Sequence, residues 1–229
     1  MTKSPARVPQ RSNARSNRER ILATARRELG RNPDITLEEL ARASGVVRRT
    51  LFGHFPGREA LLEALAEEAA QALRDALPAD PTPSDAGAES AERSYARFVL
   101  SMWTVGDRYR LLLALARRDL GQERVTEILA PARRAATAIL DRGQRDGVFH
   151  TQLPPAVLSA GLEAMSIALL EEVNSGELGD DGMLAAVAQL IAAGVPEKRA
   201  RVVVDEVAPG GGGGPAEDVA SVHDAVAGG

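Results

Sequence analysis

The sequence predicts an all-α chain in which a small three-helix head is joined to a larger helical body. Three observations carry this expectation. Apolar residues recur at helical spacing along most of the 229 positions. A capping box and glycine stops divide the head into short helices. Charge is split, with 13 Lys+Arg against 6 Asp+Glu in residues 1–60 and 15 against 26 in residues 61–229.

Residues 1–16 are basic and polar and are expected to form a flexible arm. The opening MTKSPARVPQRSNARSNRER has no apolar core, so it is not read as a secretory signal. The first helix is expected over 18–30, where Ile21, Leu22, Ala25 and Leu29 share a face and Gly30 stops it. Thr36-Leu-Glu-Glu39 is a capping box: the Thr36 hydroxyl accepts from the Glu39 N–H while the Glu39 carboxylate reaches back. A second helix is therefore expected over 37–44, ended by Gly45, and a third over 48–53. Pro56-Gly57 breaks the chain before a long amphipathic helix over 58–76.

A helix of about eight residues, a glycine turn and a second short helix make a helix-turn-helix, whose second member enters the DNA major groove. In GVVRRTLFGHF (45–55) the charges stand at the start and the rings at the end. Arg48 and Arg49 are placed to reach guanine O6 and N7 or phosphates, while Leu51 and Phe55 pack back on the first two helices. A basic head on an acidic body is the electrostatic footprint of nucleic-acid binding. The bland alternatives are a solvated basic tail and a helical hairpin with surface arginines.

The run 20–65, RERILATARRELGRNPDITLEELARASGVVRRTLFGHFPGREALLEAL, resembles the DNA-binding domain of the tetracycline-repressor (TetR) family of bacterial transcriptional regulators. The matching elements are Ile21-Leu22-Ala23 with Ala25, Thr36 to Ala41, Ala43-Ser44-Gly45-Val46, Thr50-Leu51-Phe52 with His54-Phe55, and Glu59 with Leu61-Leu62. Gly143 to Phe149 before Pro154 is similar to the family's loop between its seventh and eighth helices. The resemblance implies that Thr36, His54 and Arg58 contact phosphates and that Arg48, Arg49 and Thr50 form the base-reading face. His54 has capping or packing as its alternative role. Leu40, Ala41, Val46, Leu51 and Phe55 match core positions. Phe52 belongs to the DNA-facing set but replaces a frequent Tyr, so it cannot donate a phenolic hydrogen bond. Val47 stands where the family usually has a capping residue, and Gly57-Arg58 where it usually has Ser and Lys.

The body is expected to be helical over 89–104, 108–117, 122–143, 155–173 and 181–193, after a loop over 78–87, with Pro131 kinking or splitting the third of these. In a family that binds small molecules inside this domain, Phe98, Met102, Trp103, Tyr109, Phe149 and Met165 are candidate ligand contacts, with ordinary core as the alternative for each. LPPAVLSAGLEAMSIALL and MLAAVAQLIAAG are too apolar to face water and small enough for close approach, so pairing with a second subunit is expected; the resemblance implies a four-helix dimer interface. Glu163 falls within or beside that surface. Residues 196–229, with five consecutive glycines, are expected to form a flexible tail, and that glycine run lacks the lysine and Ser/Thr of a phosphate loop.

The expected organisation is a basic arm over 1–16, a DNA-binding domain over 17–63, a ligand-binding and dimerisation domain over 64–195 and a tail over 196–229. Cysteines are absent, the three histidines are scattered (His54, His150, His223), and no HExxH or GxSxG occurs, so no catalytic centre, metal or cofactor is expected. A lone His150 after the Phe149 turn has a ligand or metal contact as its sharper reading. No run of about 18 apolar residues indicates a membrane span. The expected function is that of a cytoplasmic, homodimeric regulator, a repressor that binds a palindromic duplex and is released by a small molecule. The competing reading is a helical protein-interaction module without specific DNA binding.

Overall fold

A computed structural model describes residues 8–77 and 89–208. The expected loop over 78–87 and the chain from Pro209 onward lie outside the described residues. The described chain is helical, in the order α1 (Val8–Arg31), α2 (Leu37–Ala43), α3 (Arg48–His54), α4 (Arg58–Ala76), α5 (Ala91–Asp119), α6 (Gln122–Arg145), α7 (Pro155–Ser175), α8 (Met183–Ala192) and α9 (Glu197–Val207).

The helices expected over 18–30, 37–44, 48–53 and 58–76 appear as α1 to α4. The α2 capping box has both its arms: the Glu39 N–H donates to Thr36 Oγ1 at 3.2 Å and the Thr36 N–H donates to Glu39 Oε2 at 2.9 Å. Gly45 follows at φ 65, a conformation that costs a residue without Cβ little. Ile21, Leu22, Ala25, Leu29, Leu40, Leu51 and Phe55 close the core between the three helices.

Part of the segment expected to be an arm is helix. α1 begins at Val8, with Pro9 in its first turn, where a missing N–H costs nothing. Its polar half is supported by local pairs, Arg15 with Glu19 at 2.9 Å and Arg20 with Asn17 at 3.0 Å.

The body departs from expectation in two places. The helices expected over 89–104 and 108–117 are one, α5. Gly106 does not break it; a Cβ there would stand 2.9 Å from Leu170 Cδ1, so the glycine lets α7 approach α5. The expected tail contains α9, whose Ala200, Val203 and Val204 are fully buried in the body core with Tyr95, Val99 and Leu190. Its polar side is tied by Arg199 to Glu92 and by Arg93 to Glu206 at 2.5 Å. α6 runs past Pro131 without being split.

Local chemistry fixes the remaining junctions. The turn after α6 closes through Val148 N–H to Gly143 O at 2.8 Å, and a Cβ on Gly143 would fall 2.1 Å from the Phe149 ring. Asp180 caps α8: its Oδ1 accepts from Gly182 N at 2.9 Å and Leu184 N at 3.1 Å, its Oδ2 from Ala185 N at 3.0 Å. Head and body are not separately packed. Tyr109, Leu112 and Leu115 of α5 belong to the same buried cluster as Ile21, Leu40 and Phe55 of the head.

Candidate DNA interface and ligand cavity

Val47 precedes α3 in extended conformation (φ −73, ψ 150), gives it no side-chain cap and is 70% exposed. It does not pack under the helix. Arg48 and Arg49 are exposed at the start of α3. Arg48 Nη2 lies 2.9 Å from Glu38 Oε1, and its guanidinium sits 5.1 Å above the Phe52 ring. Phe52, half-buried against the head core, is therefore a platform that holds Arg48 in place. Thr50 and His54 are half-buried, and the His54 ring lies 6.2 Å from that of Phe55. The exposed cations of α3 and the first turn of α2 thus share one surface, where Arg49 is the cation not tied to a carboxylate among the described residues.

Two of the expected phosphate contacts are otherwise engaged. The Thr36 hydroxyl donates to Glu39 Oε2 at 2.7 Å and accepts from the Glu39 N–H. Arg58 faces inward: its Nη1 donates to Ile35 O at 3.2 Å, its Nη2 to Pro33 O at 2.5 Å, and its Nε pairs with Asp119 Oδ2 at 3.3 Å. The sequence reading missed Glu38 as the partner of Arg48 and Asp119 as that of Arg58. Both join residues on different helices, so spacing along one helix gives no signal for them.

In the body, an apolar cavity of about 220 Å³ runs between α4, α5, α6, α7 and α8. Four of the expected contacts, Phe98, Met102, Trp103 and Tyr109, are in its wall. Phe149 and Met165 are not; Phe149 is 3% exposed and edge-on to Tyr95, with ring centroids 5.9 Å apart, and Met165 packs on the same core. One end of the cavity is lined by Leu62 and Leu65 of α4 and by Leu120. The other end is polar. There Tyr95 O–H donates to Gln189 Oε1 at 3.0 Å, Gln189 Nε2 donates to Ser166 Oγ at 2.8 Å, and Arg133 grips Glu163 through Nε at 2.8 Å and Nη2 at 2.6 Å. Burial raises the Tyr95 phenol well above its ordinary pKa and keeps it a donor. The hydrogen bond and charge of Glu163 raise that of Arg133.

His150 belongs to neither site. Its N–H donates to Ala193 O at 2.9 Å and its Nε2 lies 3.1 Å from Ala192 O, so it tethers the end of α8. No group of three or more His, Cys, Asp or Glu able to hold a metal ion occurs among the described residues, and no described helix is long and apolar enough to cross a membrane.

Residues 21–65 match the family of bacterial regulatory proteins, tetR family. That segment is a tetR-family domain. Solved structures extend the likeness to the whole described fold. A bacterial regulatory protein of the tetR family from Rhodococcus RHA1 is 19% identical, with 79% of this chain and 98% of that one covered and a TM-score of 0.65. The TetR family transcriptional regulator PfmR from Thermus thermophilus is 18% identical, covering 77% and 98%, with a TM-score of 0.62. A gamma-butyrolactone receptor described as ArpA-like is 18% identical, covering 85% and 97%, with a TM-score of 0.60. At these identities the likeness establishes the fold of the TetR-family body. No curated protein sequence matches the chain. The matched domain and the shared fold together support DNA-binding regulation.

Proposed function

We propose that the chain is a homodimeric repressor that binds a palindromic operator and is released when a small molecule fills the body cavity. The carrying observation is that Leu62 and Leu65, in the cavity wall, lie on α4, the helix that directly follows α3. A ligand that prefers one placement of α4 changes the population of DNA-competent heads by its differential affinity. In this reading Arg49 and Arg48 read bases from the start of α3, with Thr50 and Phe52 beside them, His54 approaches phosphates, and Thr36 holds the start of α2 through Glu39. Arg58 orders the loop ahead of α2.

Dimerisation through α7 and α8 is supported by large apolar side chains left in water there: Val157 is 53%, Leu184 50% and Ile191 41% exposed. The proposed domains are the head over 17–63 and the body from 64, now including α9. The protein acts in the cytoplasm, where its DNA lies.

The test is titration of the full chain against duplex from upstream of its own gene, with a scrambled duplex as control and sedimentation run alongside. A dimer that prefers the upstream duplex, with affinity falling steeply as salt rises, supports the reading. Equal affinity for both duplexes overturns specific binding and favours a protein-interaction module.

A further inference from the structure

The cavity has a chemical polarity of its own. Ser159, Glu163 and Ser166 follow one another on one face of α7, and all three line its polar end. The Ser159 side chain is 2% exposed and its Oγ has no hydrogen-bond partner among the described residues. A buried hydroxyl left without a partner is costly, and a bound molecule that meets it recovers that cost. Gln189 has committed its Oε1 to Tyr95 and one Nε2 hydrogen to Ser166, which leaves it a donor.

The charges at this end cancel. Arg133 and Glu163 are paired in bidentate fashion, so an incoming carboxylate faces Glu163 and an incoming ammonium faces Arg133. The third charged side chain of the wall, Glu171, is exposed and screened by water. The rest of the wall is aliphatic and aromatic, ending on Leu62, Leu65 and Leu120.

We infer that the cavity takes a neutral, chain-like molecule with one hydrogen-bonding head, an ester, ketone or lactone carbonyl or an alcohol, seated at Ser159 and Gln189, and that it discriminates against carboxylates and ammonium ions of the same chain length. This rests on the cavity being the regulatory site. The apolar chain fills the space toward α4, and the head satisfies Ser159 without having to break the Arg133–Glu163 pair.

Trp103, the single tryptophan, lies in the wall and reports occupancy. The full chain is titrated with methyl decanoate, decanoate and decylammonium, following Trp103 emission and the thermal midpoint. The ester is expected to bind about tenfold more tightly than either ion. Ser159→Ala weakens the ester by about threefold or more while the midpoint of the free protein holds or rises, since the unpartnered hydroxyl is gone. Glu163→Gln leaves Arg133 uncompensated and improves decanoate binding by about tenfold, with little change for the ester. If either ion binds the unmodified protein as tightly as the ester, or if none of the three is bound, the inference is overturned; the wild-type titrations decide this even if Glu163→Gln proves unstable. Those outcomes leave operator binding untouched, so they are distinguishable from failure of the regulator reading.

Discussion

Arg58, the first residue of α4, is clasped by Asp119, the last residue of α5, with Nε 3.3 Å from Oδ2. The same guanidinium holds the Pro33 and Ile35 carbonyls, and Arg118 beside Asp119 reaches Asp34 at 3.4 Å. One cation thereby ties the loop ahead of α2 to the end of the longest body helix.

Arg58→Ala is expected to lower stability by about 1–2 kcal/mol, because it leaves the Pro33 and Ile35 carbonyls without this donor and the Asp119 carboxylate with Arg118 alone. Operator affinity should fall with it, since the α2 N-terminus loses its support. Asp119→Asn keeps the guanidinium and should cost less, about 1 kcal/mol or below. Melting and duplex titration of both variants check this; full DNA affinity in Arg58→Ala rejects the ordering role.

The clasp carries a pH signature. Hydrogen bonding from Arg118, then from Arg58, holds the Asp119 carboxyl below its ordinary pKa. A depressed carboxyl contributes stability that is present above its unfolded value near 4 and lost as pH falls through the folded value. The midpoint difference between wild type and Asp119→Asn should therefore be constant from about pH 7 to pH 5 and close below about pH 4. A difference that persists in acid assigns the effect to shape rather than charge.

Gly53 lies inside α3, exposed, with open space where a Cβ would stand. Gly53→Ala should stabilise the head by about 0.5–1 kcal/mol. Operator binding should nonetheless weaken, because a bare backbone on this face permits close approach to DNA. Tighter binding by the alanine variant shows that the glycine does not face the duplex.

Val47→Ser supplies the acceptor that α3 lacks, at a position already extended and exposed, so no packing is lost. A gain of about 0.5–1 kcal/mol is expected, with several-fold tighter operator binding and the same sequence preference. Weaker binding by the serine variant assigns Val47 to a thymine methyl instead.

For α9, Val203→Ala should cost about 1–3 kcal/mol, since its side chain is fully buried in the body core. Deletion from residue 197 should abolish cooperative melting. Removing only residues 209–229, a segment rich in glycine, alanine and valine without a large apolar side chain, should leave the midpoint and DNA affinity unchanged. A drop on that shorter deletion shows that the segment docks.

The features legible in the sequence were the local ones. The Thr36–Glu39 box is complete within four residues, and the bounds of α4 follow from Pro56-Gly57 and its periodicity. Relations set by tertiary approach were not legible. The break expected between 104 and 108 is absent because Gly106 there makes space for Leu170, which lies on another helix. α9 was hidden by its neighbours, because the glycine run after it coloured the reading of Ala200, Val203 and Val204. Arg58 carries the charge and position of a phosphate ligand, and only the packing of α5 shows where that charge is spent. Among the aromatics, composition gave no means of telling Trp103 in the cavity wall from Phe149 in the core.

The cluster that joins Tyr109, Leu112 and Leu115 to the head bears on how such proteins can be recombined. Cutting the chain after α4 strips three large side chains from the ceiling of the helix-turn-helix. A hybrid that grafts this head onto another relative's sensor inherits whatever that relative's fifth helix presents there. Swapping address and sensor therefore requires moving the lower half of α5 along with the head. The transferable cassette is discontinuous in sequence, and a splice placed at the apparent boundary near residue 63 passes through shared masonry.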